Sequence, residues 1–235
     1  MFKFKQFAIN QDRCAMKIGT DAVLLGAWCP IDNNPKSILD IGAGTGILAL
    51  MLAQRTNADQ IDALEIDEEA YEQCVENFEA SAWADKLFCY HAGLDEFVDE
   101  PEDEYDLIIS NPPFYSEDFK TENEQRDLAR FQDAMPFEDL IEAADLLLSE
   151  NGLFAVVIPY KEEERFIDLC AEYELYPVKA TRVKGSHKTP IVRSLLAFKR
   201  FELSVLTADE LVVEINRHEY TDDYINLTQD FYLKM

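Results

Sequence analysis

The stretch SILDIGAGTGILAL, residues 37–50, decides the fold. Ser37 to Ile41 is a short apolar run with the character of a buried strand, and Thr45 to Arg55 has the apolar content and length of a helix. Three glycines, Gly42, Gly44 and Gly46, fill the turn between them. A glycine-rich turn lets the backbone reverse tightly and lets a ligand approach the main chain closely. The spacing is GxGxG, with Ile47 where a dinucleotide-binding fingerprint needs its last glycine, so a nicotinamide cofactor loses its main support. Asp40, two residues before the first glycine, puts a carboxylate at the carboxyl end of the strand.

Downstream, short apolar runs alternate with amphipathic stretches, which predicts βαβ units and an α/β fold with a parallel sheet. Strands are expected at Ile61–Ile66, Lys86–His91, Tyr105–Ser110 and Leu153–Pro159, with helices at Glu68–Ala82, Pro136–Ser149 and Lys161–Glu174. Tyr176–Lys184 and Ile191–Phe201 read as an antiparallel pair, and Leu211–Ile215 and Asp222–Tyr232 as a last strand and helix. The polar stretch Tyr115 to Asp133 is long for a connection, and such connections are usually binding lids or disordered. At 235 residues the chain is expected to be one domain, 1–235, with residues 1–36 an N-terminal extension and lead-in helix and 37–235 the core.

Two positions at strand ends carry chemistry. Glu65 closes the second strand, where a carboxylate can accept both hydroxyls of a ribose at the switch point of a doubly wound sheet. That pattern points to an adenosine-containing cofactor. After the strand YDLIIS comes Asn111-Pro112-Pro113-Phe114. Two prolines cannot continue a sheet ladder, so they hold the chain extended and project the Asn111 side chain at fixed geometry. Its carbonyl oxygen and the Pro112 main-chain carbonyl can accept both hydrogens of an exocyclic amino group, and Phe114 and Tyr115 offer faces for stacking a base.

The formal charge is −26, which by itself disfavours a polyanionic partner. Its distribution changes that reading. Lys179 to Arg200 carries seven cations and no carboxylate, residues 1–20 add a net +3, and the remainder sums to −36. One reading is a solvated acidic body adapted for solubility. The other is a basic rim facing RNA, with Lys184, Lys188 and Arg193 on it and Arg126 and Arg130 closing from the long loop. Five scattered cysteines without a CxxC pair predict buried thiols in a reducing compartment, and three histidines without ligand spacing predict no metal. No apolar run reaches the about 20 residues of a membrane helix and the opening has no secretory pattern, so a cytoplasmic protein is expected.

In this order DIGAGTG, ALEID and NPPF resemble the class I methyltransferases that use S-adenosylmethionine, within the group that methylates an exocyclic or amide nitrogen. The opening FKQFAINQDRCAMKIGTDAVLLGAW and the ending YTDDYINLTQDFYLKM are similar to the bacterial family that modifies N6 of adenine 37 in a valine tRNA. The resemblance implies a doubly wound, Rossmann-like, mostly parallel seven-stranded sheet with an antiparallel last strand. It assigns Asp40, Gly42, Gly44 and Gly46 to the methionine and sulfonium side of the cofactor and Glu65 to its ribose. Asn111 and Pro112 become the acceptors for adenine N6, with Phe114 stacking, and Thr20 and Asp21 lie near the methionine end. Relatives often carry an acidic residue where Gly93 stands, and Asp95 is the candidate to replace it. A protein glutamine N5-methyltransferase, another nucleic-acid adenine methyltransferase and a non-catalytic cofactor- or RNA-binding module are the alternative readings.

Overall fold

The computed structural model describes residues 1–99, 104–113, 135–202 and 206–235. Strands β1 (Phe2–Lys3) and β2 (Ala8–Ile9) form an N-terminal hairpin. Helix α1 (Thr20–Trp28) leads into β3 (Ser37–Ile41), α2 (Ile47–Arg55), β4 (Gln60–Glu65), α3 (Glu68–Glu79) and β5 (Leu87–His91). Then come α4 (Leu94–Asp99), β6 (Tyr105–Ser110), α5 (Phe137–Leu147), β7 (Leu148–Pro159) and, after a 3-10 turn at Tyr160–Glu162, α6 (Glu163–Glu172). The chain ends with β8 (Tyr176–Ser186), β9 (Ile191–Lys199), β10 (Ala208–Asn216), β11 (Glu219–Tyr220) and α7 (Asp222–Thr228).

The central sheet runs in the order β11-β10-β8-β9-β7-β6-β3-β4-β5. The seven strands of the sheet that the resemblance implied are β3 to β9, and β9 is antiparallel to both neighbours. Beyond β8 the sheet continues with β10, which contains the strand expected at Leu211–Ile215 and pairs parallel to β8, and with β11, which was not expected and runs antiparallel to β10. Chain order reverses at β3, which pairs with β4 on one side and β6 on the other. Ligands bind outside the carboxyl ends of strands at such a switch point.

Strand residues alternate between two cores, as a period of two demands. Ile38, Leu107, Ile109, Ala155, Val157 and Leu195 pack against α1 and α2 on one face. Leu39, Ile41, Ile108, Phe154, Val156 and Leu196 pack against α5 and α6 on the other. Helix α1 is buried from Ala22 to Trp28, and the Trp28 indole N–H donates to Thr181 Oγ1 of β8 at 2.8 Å. Leu94, Phe97 and Val98 pack on the second core, so the acidic stretch after β5 begins as a helix.

The two chain ends are fastened together beside the first core. Phe4 bridges to Tyr232, Lys5 N–H donates to the Phe231 carbonyl at 2.8 Å, and the Phe4 ring stacks on Phe7. The final helix therefore stops at Thr228, short of the expected Tyr232, because the last residues turn to meet the hairpin. All five cysteines are free thiols, four of them buried. Among the described residues, no helix is long and apolar enough to cross a membrane.

Candidate active site

A cleft of about 1540 Å³ opens over the carboxyl ends of β3, β4 and β6. Its floor is the glycine turn, where Gly42, Gly44 and Gly46 have φ of +73°, +55° and +77°. Gly42 and Gly44 line the cleft, and a Cβ at Gly44 would meet no atom within 4 Å, so the main chain there is open to a ligand. Gly46 faces inward: a Cβ would lie 2.5 Å from the Phe78 ring and 2.8 Å from Cys74 Sγ. It caps α2 in a left-handed conformation, which is why that helix starts at Ile47.

Asp40 does not reach the cleft wall. It is fully buried beneath the turn, where Oδ2 accepts from the Ala49 N–H at 3.1 Å and Oδ1 has no partner among the described residues. Burial raises its pKa to about 7, with the nearby Glu65 charge adding to the effect. Asp40 and Gly46 thus shape the turn from below, whereas the expectation was contact with the cofactor. On the other side, Asn77 of α3 donates to the Thr45 carbonyl at 2.9 Å and to the Asn10 carbonyl at 3.0 Å. Gln73 accepts from the Arg13 N–H, so α3 ties the N-terminal segment against the turn and sets Cys14 to Gly19 along the cleft.

Glu65 is aimed across the same turn. Oε2 accepts from the Gly44 N–H at 2.7 Å and Oε1 from the Asp67 N–H at 2.9 Å, which orients the carboxylate and leaves lone pairs on both oxygens. Ile66 beside it is 68% exposed and lines the cleft with Ala92 and Leu94. Asp95 lines it too, and its carboxylate folds back over Gly93, where a Cβ would lie 2.6 Å from Oδ1. That carboxylate takes up the room a side chain at position 93 would use. An open glycine main chain, an oriented carboxylate and an apolar ledge form a set that fits S-adenosylmethionine.

Asn111 follows β6 directly. The Ser110 hydroxyl donates to the Ile41 carbonyl at 2.8 Å, which locks the ends of β6 and β3 together and puts Asn111 beside Gly42. Asn111, Pro112 and Pro113 all line the cleft. Among the described residues the Asn111 amide makes no hydrogen bond, although the residue is half-buried. Phe114, Tyr115, Arg126 and Arg130 lie outside the described residues.

The basic run is largely spent on partners. Arg182 pairs with Glu163 at 2.7 Å, Lys184 with Glu210 at 2.7 Å and Arg200 with Asp145. Lys179 lies over the Trp28 ring, 4.4 Å from its centroid, and burial lowers its pKa. Lys188 is exposed at the tip of the β8–β9 hairpin. Arg193, expected on the RNA side, reaches the cleft and pairs with Asp21 at 2.8 Å, joining two residues given separate roles above. Thr20, the first residue of α1, stands off the cleft. Lys17, from the N-terminal basic segment, lines the cleft, as do Ile66, Tyr160 and Lys161, to which sequence reasoning gave no role in the site. Ile66 was read as the last residue of its strand, which ends instead at Glu65 and leaves it on the cleft.

The methyltransferase small domain family model matches residues 18–176. The chain is 72% identical over all 235 residues to the tRNA1(Val) (adenine(37)-N6)-methyltransferase of Flavobacterium johnsoniae, covering 100% of both. It is 42% identical over 235 residues to the protein of that name from Bacteroides fragilis, covering 100% of this chain and 98% of the relative. Among solved structures, a predicted O-methyltransferase from Agrobacterium tumefaciens matches with a TM-score of 0.69 at 19% identity, over 90% of this chain and 96% of that one. The ribosomal protein L11 methylase of Lactobacillus delbrueckii gives a TM-score of 0.53 at 18% identity, over 77% of each. These two similarities establish the class I methyltransferase fold, and the full-length identities go further: the chain belongs to the tRNA1(Val) (adenine(37)-N6)-methyltransferase family.

Proposed function

We propose that this protein transfers a methyl group from S-adenosylmethionine to N6 of adenine 37 in the anticodon loop of a valine tRNA. The observation that carries the reading is the half-buried Asn111 amide, without a hydrogen-bond partner among the described residues, standing beside the open glycine turn. Gly42, Gly44 and Glu65 would hold the cofactor, with Ile66 and Asp95 at its adenine end and Asp21 near its methionine. When bound, that cofactor supplies an electrophilic methyl group on a sulfonium.

The chain's part is positioning. An adenine amino nitrogen is a poor nucleophile because its lone pair is delocalised into the ring. Asn111 Oδ1 and the Pro112 carbonyl accept the two N6 hydrogens, draw the nitrogen toward tetrahedral geometry and free the lone pair. The nitrogen would become cationic as it bonds the methyl carbon and that carbon's bond to sulfur breaks, and a proton would then leave the nitrogen for solvent, so no dedicated base is required. An anticodon-loop base is already partly unpaired, which lowers the cost of extruding it. Such a substrate, together with free buried thiols, fits a cytoplasmic setting.

The test is transfer of labelled methyl to unmodified total tRNA, run beside a glutamine-bearing release-factor peptide. Label in N6-methyladenosine supports the proposal. Label in the peptide alone refutes it.

A further inference from the structure

Tyr160 follows the last residue of β7, lines the cleft and is 37% exposed. The Arg182 guanidinium sits 5.4 Å from its ring centroid. That guanidinium is gripped by Glu163, whose Oε1 accepts from Nη2 at 2.7 Å and from Nε at 3.1 Å. Glu163 is itself buried and accepts a further hydrogen bond from the Ser194 hydroxyl of β9. Hydrogen bonds from both Nε and Nη2 fix the plane of the guanidinium, so the ring it covers is held as well. An accessible aromatic ring braced by an arginine that a buried carboxylate holds is already ordered, which lowers the entropy cost of stacking on it.

Placement decides what stacks there. Val156 of β7 is level with Ser110, so Asn111 is level with Val157 and Tyr160 lies three residues further along. At strand rise Pro159 lies roughly 7 Å beyond that level, and Tyr160 opens the turn that follows it. The ring therefore stands beyond the level of Asn111, where a neighbouring nucleotide would run. Charge agrees with that path. Lys161 follows Tyr160 and Arg193, paired with Asp21, is level with Pro159, and Lys17 lines the same cleft, whereas Asp95, Asp139 and Glu142 line the part built by α4 and α5. Phosphates are drawn to the first group and repelled by the second.

We propose that Tyr160 is a stacking platform for a base adjacent to the adenine that is methylated, with the RNA backbone running along Lys17, Lys161 and Arg193. The inference rests on the methyltransferase reading above. Single-stranded RNA is commonly held by bases stacked on aromatic rings, and every base has a face to offer.

An anticodon stem-loop with 2-aminopurine in place of either neighbour of adenine 37 tests it. Wild-type protein and Tyr160→Phe should quench the fluorescence at one of the two positions. Tyr160→Ala and Tyr160→Leu should abolish that quench and weaken RNA binding about tenfold. Affinity for S-adenosylhomocysteine and melting temperature should stay at wild-type values. Tyr160→Leu keeps apolar bulk without a ring, so loss in both variants traces to stacking. Wild-type quench and affinity in both would overturn the proposal while leaving the function intact. A wild type that neither binds nor methylates the stem-loop would overturn both together.

Discussion

Two alanine substitutions in one turn should fail in different ways. At Gly46 the left-handed φ of +77° imposes about 1–2 kcal/mol on any residue with a Cβ. The new carbon would also lie 2.5 Å from Phe78 and 2.8 Å from Cys74, both buried in the first core, so overpacking adds about 1–3 kcal/mol. Gly46→Ala should therefore lose about 2–5 kcal/mol, a fall in Tm of roughly 4–20 °C for a chain of this size. At Gly44 the φ is +55° but a Cβ meets nothing within 4 Å, so only the strain of about 1–2 kcal/mol applies. Its methyl would instead occupy the cleft, and cofactor Kd should rise about tenfold, a cost of about 1.4 kcal/mol. Thermal unfolding and calorimetric titration with S-adenosylhomocysteine read the two effects separately. Gly46→Ala melting with the wild type, or Gly44→Ala binding cofactor as tightly as it, would refute this reading of the turn.

Asn111→Ala should cut turnover by about 10²–10³, the scale of removing one preorganised polar contact, with cofactor affinity unchanged; retained turnover would remove Asn111 from the chemistry. Asp40 has a folded pKa raised to about 7 from 3.8, so the stability it gives is full below pH 4 and is lost as pH rises through about 7. Asp40→Asn keeps an acceptor for the Ala49 N–H and should flatten that loss, making the variant the more stable protein above pH 7; denaturant unfolding at pH 5 and pH 8 would show it. Lys188→Glu should weaken RNA binding and make the salt dependence shallower, whereas an unchanged slope would leave Lys188 on a merely solvated surface.

How much of this was legible in the sequence varied with the range of the interaction involved. The glycine turn, Glu65 and Asn111 were readable because each is a local pattern at a strand end. The core strands were readable because burial on both faces leaves continuous apolar runs such as Leu153–Pro159. The pairing of β10 with β8 was not, since a nine-residue strand with exposed Asp209 and Glu210 carries little sign of its neighbour. Arg193 and Asp21 are 172 positions apart, and only the folded chain brings the basic run to the start of α1. Lys184 and Arg182 read as free cations in a run without carboxylates, yet Glu210 and Glu163 arrive from other elements to meet them. Tyr160 was hidden at a strand-to-helix junction, where no spacing distinguishes an exposed ring from a core one.

The most direct test of the central claim is to map the methyl itself. Valine tRNA lacking modification would be incubated with enzyme and S-adenosylmethionine, digested with a ribonuclease and sequenced by mass spectrometry. The expected result is a single oligonucleotide, the one containing adenine 37, heavier by one methyl group and yielding N6-methyladenosine on hydrolysis. A methyl on any other nucleotide, or none while cofactor binding is demonstrated, would contradict the claim.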